Sequence, residues 1–296
     1  MRKDLPMKPN PTRRTVLHGA AGVAALGLLG CPSDPLQDGE PEIDADLWQT
    51  IAAHVRANAS GTIGGRINLW NPSDSPQRVV LQAFALDGAL VAHEEAFAAL
   101  PPGESSHIEV DEFLARNAVV APFEGSLWVG TTPLFGSVFM GLQGISFDWY
   151  GPSHQASVHG MRDFGNSNRD TTWTDLVLPK VVNTERYVTK IAIANATGDG
   201  VGEALAARPQ VILRDDLGNE LVNTTLDPLP PYASTVFAVS ELPGGADLTT
   251  GTAQILEPEA GLVALAFVFD RDNEGFASAD HFFDRHFVVH GTGFSG

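Results

Sequence analysis

The residues best suited to bind a metal ion lie near the end of the chain, in the segment DRDNEG from Asp270 to Gly275. Asp270, Asp272 and Glu274 place carboxylates at alternate positions before a glycine, and oxygen ligands with this spacing in a tight loop can converge on Ca²⁺. An EF-hand would need a bidentate glutamate at loop position twelve, where His281 stands. The alternative is a solvated hairpin between two strands, which the missing glutamate favours.

Histidines follow in the segment HFFDRHFVVH, which contains His281, Asp284, His286 and His290. In an extended strand His281 and His290 point to opposite faces, because nine residues is an odd separation. His286 and His290 share a face but lie about 13 Å apart at about 3.3 Å per residue. One metal could join them only across a bend or with histidines elsewhere in the chain. The pattern therefore favours strand histidines with ordinary hydrogen bonds.

Other chemical patterns are weak. The last six residues, Gly291–Gly296, satisfy G-x-G-x-x-G, but no helix or acidic residue follows to complete a dinucleotide site. The sequence has no G-x-S-x-G, H-E-x-x-H, Walker or C-x-x-C motif. Trp70, Trp128, Trp149 and Trp173 predict either an aromatic docking surface for sugar or protein, or core anchors, and core anchors are the commoner case. No catalytic residue is predicted.

The first 31 residues have the pattern of an export signal. Basic residues precede an uncharged run from Thr15 to Gly30, which is short for a membrane-spanning helix of about 20 residues. Arg13 and Arg14, within TRRTVL, resemble the twin-arginine export signal of bacteria. The sequence LLGC, ending at Cys31, resembles a bacterial lipobox. The resemblance implies cleavage before Cys31, lipidation of that cysteine, and export of a protein that has already folded.

This resemblance implies a lipoprotein of the cell envelope, facing the periplasm or the cell surface and held to the membrane by its lipidated N-terminus. Cys31 is the only cysteine, so no disulfide can form within the chain. Residues 31–46 are rich in proline and acidic residues and predict a flexible tether behind the signal peptide at 1–30. The net charge of −18 excludes nucleic acid as a partner.

The rest of the chain contains two copies of one pattern, with paired positions 122 to 131 residues apart. Arg66–Asn71 (RINLWN) is echoed by Lys190–Asn195 (KIAIAN), and Leu100–Pro102 by Leu229–Pro231. Further pairs are 84–91 with 213–222, Asp111–Phe113 with Ser240–Leu242, 123–142 with 248–267, Phe147–Asp148 with Phe269–Asp270, and Val158–Gly160 with Val289–Gly291. The common order of so many pairs predicts a tandem duplication.

Each copy has the succession of short strands and turns that is typical of an all-β domain. Ile67 and Leu69, like Ile191 and Ile193, alternate with other residues as half-buried strands do. The run LVALAFVFD at 262–270 is apolar on both faces up to its final aspartate, which predicts a central strand covered on both faces. About seven short strands in about 115 residues resemble an immunoglobulin or fibronectin type III sandwich, although the immunoglobulin cysteine pair is absent.

The predicted fold is therefore all-β, with two tandem antiparallel β-sandwich domains behind the signal segment and the acidic linker. The first module spans 47–160, residues 161–174 connect the modules, and the second module spans 175–296. At the start of the first module, Leu47, Ile51 and Val55 have helical spacing, which predicts a short helix followed by an irregular strand.

Taken together, these patterns predict an exported, lipid-anchored envelope protein with a non-enzymatic binding, adhesive or structural role. Its ligand would be a protein or a glycan. The alternative is an envelope enzyme, or a protein that carries a metal or cofactor and folds before twin-arginine export.

Overall fold

The computed structural model describes residues 48–58, 64–131, 145–150, 155–159, 163–164, 175–196, 205–257, 261–271, 275–281 and 283–284. These residues belong to one compact unit of the chain. Antiparallel strands dominate it, so the predicted all-β sandwich class is confirmed.

In the first half, residues 48–164, the described residues form nine strands and one helix. They are β1 (Trp48–Ala57), β2 (Gly64–Trp70), β3 (Gln77–Ala85), β4 (Leu90–Leu100), β5 (Ser105–Glu109), α1 (Val110–Arg116), β6 (Phe123–Thr131), β7 (Ile145–Tyr150), β8 (Gln155–His159) and β9 (Asp163–Phe164). Sheet A has the strand order β4-β3-β6-β1-β9, and sheet B has the order β5-β2-β7-β8. The sequence patterns did not predict α1.

In the second half, residues 175–284, the part that the structure describes also forms nine strands. They are β10 (Asp175–Val182), β11 (Tyr187–Asn195), β12 (Gln210–Asp215), β13 (Glu220–Thr225), β14 (Ser234–Ala238), β15 (Thr250–Leu256), β16 (Leu262–Asp270), β17 (Gly275–His281) and β18 (Phe283–Asp284). Sheet C has the order β13-β12-β15-β10-β18, and sheet D has the order β14-β11-β16-β17. Two 3-10 turns, Val239–Glu241 and Gly245–Asp247, follow β14.

The two halves have the same strand order, with sheet A equivalent to sheet C and sheet B to sheet D. Even an irregularity recurs, since β1 is bulged between Ala52 and Val55, and β10 between Leu178 and Val181. The domain boundaries at 47–160 and 175–296 stay predictions. Asp163–Phe164, inside the predicted connecting segment, pairs with β1 at the edge of sheet A.

The predicted helix near residue 51 is wrong. Residues 48–57 form β1, which pairs with β6 and places Ile51 opposite Trp128. Helical and strand periods both put residues four apart on one side, so a short apolar run cannot distinguish them. Pairing with neighbouring strands decided between the two.

The strand registers also correct the repeat alignment after the middle of each copy. Ile67 pairs with Phe147, whereas its equivalent Ile191 pairs with Ala266. Phe147 therefore corresponds to Ala266 rather than to Phe269. By the same register His159 corresponds to His281, not to His290. The chain between β6 and β7 is longer than the chain between β15 and β16, and this difference in length displaced the alignment.

The sheets form layers in the order B, A, D, C. Sheet A contacts sheet B through β1, β2 and β7, and β1 also contacts β11, β14 and β16 of sheet D. Consecutive residues are buried along β1, β3, β6, β11 and β16, so sheets A and D are covered on both faces. This confirms the prediction for residues 262–270. In β2 and β10 burial alternates, as in strands with one solvent face. At one edge β8 lies beside β17.

Candidate functional site

The predicted Ca²⁺ residues are only partly described. Asp270 ends β16 and is buried, and its Oδ2 accepts hydrogen bonds from Nε and Nη2 of Arg186 at 3.2 and 3.1 Å. Asp272 and Glu274 lie outside the described residues. Among the side chains that the structure describes, no three His, Cys, Asp or Glu residues are grouped to hold a metal.

The remaining sequence candidates are scattered or outside the described ranges. His281 ends β17 and Asp284 ends β18, whereas His286, His290, Cys31, Arg13 and Arg14 lie outside the described residues. Trp128 is a core residue at 1% exposure, and Trp70 is 49% exposed at the end of β2, so the two do not form one aromatic surface. No described helix has the length and apolar character to cross a membrane.

The most specific side-chain cluster joins the two halves. The ring of Tyr232 stacks on Phe84 at 4.9 Å between centroids and 12° between planes, and meets Trp128 edge-on at 5.5 Å. Phe84 and Trp128 belong to adjacent strands of sheet A, while Tyr232 precedes β14 of sheet D. All three are buried, so this cluster fixes one half against the other.

Tyr232 reaches Phe84 from a strained turn. It has a φ of 64°, the left-handed region that bulky residues rarely adopt. Its equivalent in the first copy is Gly103, with a φ of 69°. Backbone contacts hold the turn in place, since Ser234 N–H donates to the carbonyl of Leu86 at 3.0 Å. The ring stacking and this backbone hydrogen bond offset the conformational strain at Tyr232, which costs about 1–3 kcal/mol.

His54 on β1 lies in the same contact between sheets A and D. It is 2% exposed and packs edge-on against Phe267 at 5.6 Å. Burial, with smaller contributions from Arg56 and Lys190, lowers the pKa of His54 to about 3. The carboxylate of Glu124, 3.7 Å from Nε2, would favour the charged form, but it is half exposed and burial prevails. His54 is therefore a neutral residue of the core.

The outer face of sheet C, which faces away from sheet D, is the best candidate for binding an external ligand. Nη1 of Arg214 donates to Oε1 of Gln254 at 3.0 Å, and Nε2 of Gln254 donates to Oδ1 of Asp175 at 2.7 Å. Nη2 of Arg214 also lies 3.6 Å from Glu220. We call these four residues the polar strip. A depression of about 230 Å³ beside it is lined by Val177, Arg214, Thr252, Ala253 and Gln254.

The polar strip is suited to recognition of a polar surface. Its linked side chains hold one another in position, which lowers the entropic cost of binding. Its guanidinium and carboxylate groups offer donors and acceptors, whereas the amide of Gln254 is buried and links Arg214 to Asp175. The depression is open to solvent, and its lining residues come from β10, β12 and β15. This arrangement can orient a ligand that lies across the strands.

No protein-family model and no curated protein matches the chain. Among solved structures, a glycosyl hydrolase family 2 member from Bacteroides cellulosilyticus aligns with 79% of this chain and 27% of its own length, at 8% identity and a TM-score of 0.17. The Pleurotus ostreatus lectin in its apo form aligns with 85% of this chain and 79% of its own, at 10% identity and a TM-score of 0.17. TM-scores this low support no conclusion about fold or function.

The sequence patterns singled out none of the residues in the polar strip, nor Tyr232. One signal was present for Tyr232, because LPPY at 229–232 stands where the first copy has LPPG at 100–103. A tyrosine at the glycine position of a duplicated turn indicates a side chain needed there. The polar strip has no comparable signal, since its members come from β10, β12, β13 and β15.

Proposed function

We propose that this chain is an exported, lipid-anchored protein of the cell envelope with a binding or structural role rather than an enzymatic one. Its ligand is a polar partner, a protein or a glycan, that docks on the outer face of sheet C. The polar strip carries this proposal, because its hydrogen-bonded side chains are preorganised on an open face. The β-sandwich supports it by providing a rigid body on which such a face can be displayed.

The signal-like N-terminus supports the anchored location. Lipid on Cys31 would hold the body at a membrane, since each buried methylene contributes about 0.8 kcal/mol and several acyl chains together anchor firmly. Growth with an alkyne-tagged fatty acid should label the natural chain and not Cys31→Ser. Replacing Arg13 and Arg14 by lysine should retain the unprocessed chain inside the cell. Equal labelling of Cys31→Ser would contradict the proposed anchor.

Binding is tested with the full chain in detergent on two probe sets, an array of immobilised oligosaccharides and extracted envelope proteins. Arg214→Ala and Gln254→Ala should each lower the affinity for any bound probe by about tenfold, the loss of a hydrogen bond to a charged or polar group. Arg78→Ala is the matched control, because Arg78 forms an exposed pair with Glu95 on the first half, at 2.5 Å. Binding that survives both strip variants would contradict the proposed surface.

A further inference from the structure

The contact between sheets A and D encloses a group of buried polar side-chain atoms. Among the described residues, none provides a hydrogen-bond partner for Nε2 of Gln82 on β3, Oγ of Ser126 and Nε1 of Trp128 on β6, or Oγ of Ser234 on β14. Each of these four residues is at most 4% exposed. They hold four of the six such atoms in the part of the chain that the structure describes, so these atoms are concentrated in one contact.

The three residues of sheet A lie on one face, the face that sheet D covers. In the register of β3 and β6, Gln82 stands directly opposite Trp128, and Phe84 stands opposite Ser126. Directly opposite side chains share a face, and so do residues two apart along a strand. The ring of Tyr232, which precedes β14, packs on Phe84 and Trp128. Gln82 and Ser126 therefore point into the same contact.

Ser234 belongs to the facing side of sheet D. It pairs with Ala194 in the register of β14 and β11, and by register Ala192 and Phe267 share that face. Phe267 packs against His54 of sheet A, so this face is the one turned toward sheet A. Ala192 and Ala194 are fully buried there, and their methyl groups take up little of the space between the sheets.

The spacing and chemistry of the four polar atoms suit water. Directly opposite side chains have Cβ atoms about 4.5–5.5 Å apart, and diagonal neighbours such as Gln82 and Ser126 about 7–8 Å. A water about 2.9 Å from each of two partners spans up to about 6 Å. Nε2 of Gln82 and Nε1 of Trp128 only donate, whereas a serine hydroxyl both donates and accepts, and water can serve all of them. Internal water in proteins typically binds such buried polar groups.

We propose that the contact between sheets A and D is a binding site for ordered water, with Gln82, Ser126, Trp128 and Ser234 as its ligands. The water accepts hydrogen bonds from the amide and the indole, and the two hydroxyls share it from opposite sheets. The two halves are therefore joined by water-mediated hydrogen bonds beside the stacked rings. The ligand proposed for sheet C plays no part in this inference.

Two serine variants test the site by the sign of their effect. Ser126→Ala and Ser234→Ala each remove one hydroxyl with little change of shape. Because the hydroxyls bind water, each variant should lower the equilibrium constant for folding about fivefold, measured by urea denaturation of the full chain in detergent. In a contact without water the same changes would raise this constant, because each removes an unsatisfied hydroxyl. A constant that rises or stays unchanged in either variant would overturn the inference. Ser105→Ala, on the exposed part of β5, is the control and should change the constant less than about twofold.

Nuclear magnetic resonance detects the water directly. In the full chain with ¹⁵N-labelled tryptophan, the indole N–H of Trp128 is assigned by its loss in Trp128→Phe. It should show a direct Overhauser cross-peak with long-lived water although Trp128 is only 1% exposed. Trp70, 49% exposed, is the control, because water at the surface exchanges too quickly to give such a peak. Gln82→Leu should weaken the peak of Trp128, since it removes the other donor to the shared water. Circular dichroism establishes that each variant is folded, and a folded natural chain without the peak at Trp128 would contradict the proposed site.

Discussion

The rings of Tyr232 and Phe84 stack at 4.9 Å although 148 residues separate them along the chain, and each belongs to a different half of the layered stack. The contact fixes sheet D on sheet A. It also explains why a tyrosine is kept at a φ of 64°, where the first copy has a glycine. Tight packing of the two halves and backbone strain are thus combined in one residue.

Tyr232→Gly should lower the free energy of unfolding by about 2–4 kcal/mol. Loss of a buried aromatic ring costs about 3–5 kcal/mol, and relief of the left-handed φ returns about 1 kcal/mol. Urea denaturation measures this difference. In a double-mutant cycle with Phe84→Leu, the two changes should couple by about 1 kcal/mol, and strict additivity would contradict the stacking argument.

Gly125→Ala and Gly251→Ala should each lower the free energy of unfolding by about 2–3 kcal/mol. A Cβ on Gly125 would lie 2.0 Å from the carbonyl oxygen of Phe84, and one on Gly251 would lie 1.9 Å from that of Arg214. Neighbouring strands would have to separate in either variant. Gly103→Ala is the control, with open space and only a φ penalty of about 1 kcal/mol. Melting curves that rank the control lowest in stability would refute this explanation.

Asn71→Asp and Asn195→Asp should each destabilise the protein by at least about 2 kcal/mol, despite the nearly identical shape. Both asparagines are fully buried. Nδ2 of Asn71 donates to the carbonyl of Leu100 at 2.8 Å, and Nδ2 of Asn195 to that of Leu229 at 2.9 Å. A carboxylate cannot donate to these carbonyls and buries charge beside them. Asn223→Asp, on the exposed strand β13, should change the melting temperature little.

His54 should make the fold sensitive to acid. Its pKa is about 3 in the folded protein and 6.5 in the unfolded chain, so below pH 6.5 the unfolded chain binds more protons. The contribution of His54 to the free energy of unfolding is therefore complete above pH 6.5. It falls by about 1.4 kcal/mol per pH unit as the pH is lowered toward 3. The groups around it are Arg56, Lys190 and Glu124.

The measurement is the free energy of unfolding between pH 4 and 7 for the natural chain and for His54→Gln. The natural chain should be the more stable of the two at pH 7. The difference between their free energies of unfolding should narrow as the pH falls, because glutamine does not titrate. His93→Gln serves as the control, since His93 is exposed on β4. Parallel pH profiles for the natural chain and His54→Gln would show that His54 is not buried in its neutral form.

Local sequence patterns identified the strands well, because the burial of one or both faces of a strand determines which of its positions are apolar. Alternation at Ile67 and Leu69 predicted a strand open on one face, and the apolar run at 262–270 predicted one covered on both. The pattern at residues 48–57 did not identify the strand, because the spacing of Ile51 and Val55 fits a helix as well as a strand. Only pairing with β6 distinguishes the two.

The candidate site was harder to predict because it depends on contacts between distant segments. Asp175, Arg214 and Gln254 meet only after β10, β12 and β15 are placed side by side. Their residue types are common on any acidic surface. The duplication could have helped, since by register Arg214 and Gln254 occupy the positions of Phe84 and Trp128 in the first copy. That comparison needs the strand pairing, which the alignment of sequences alone misplaced at His159.

The stacking of Tyr232 on Phe84 also sets an order of events during synthesis. A ribosome adds about 5–20 residues per second, so Trp128 is made several seconds before Tyr232. During that interval the nascent first half presents Phe84 and Trp128 without their cover. We therefore expect chaperones to bind this face of the nascent chain until the second half has been made.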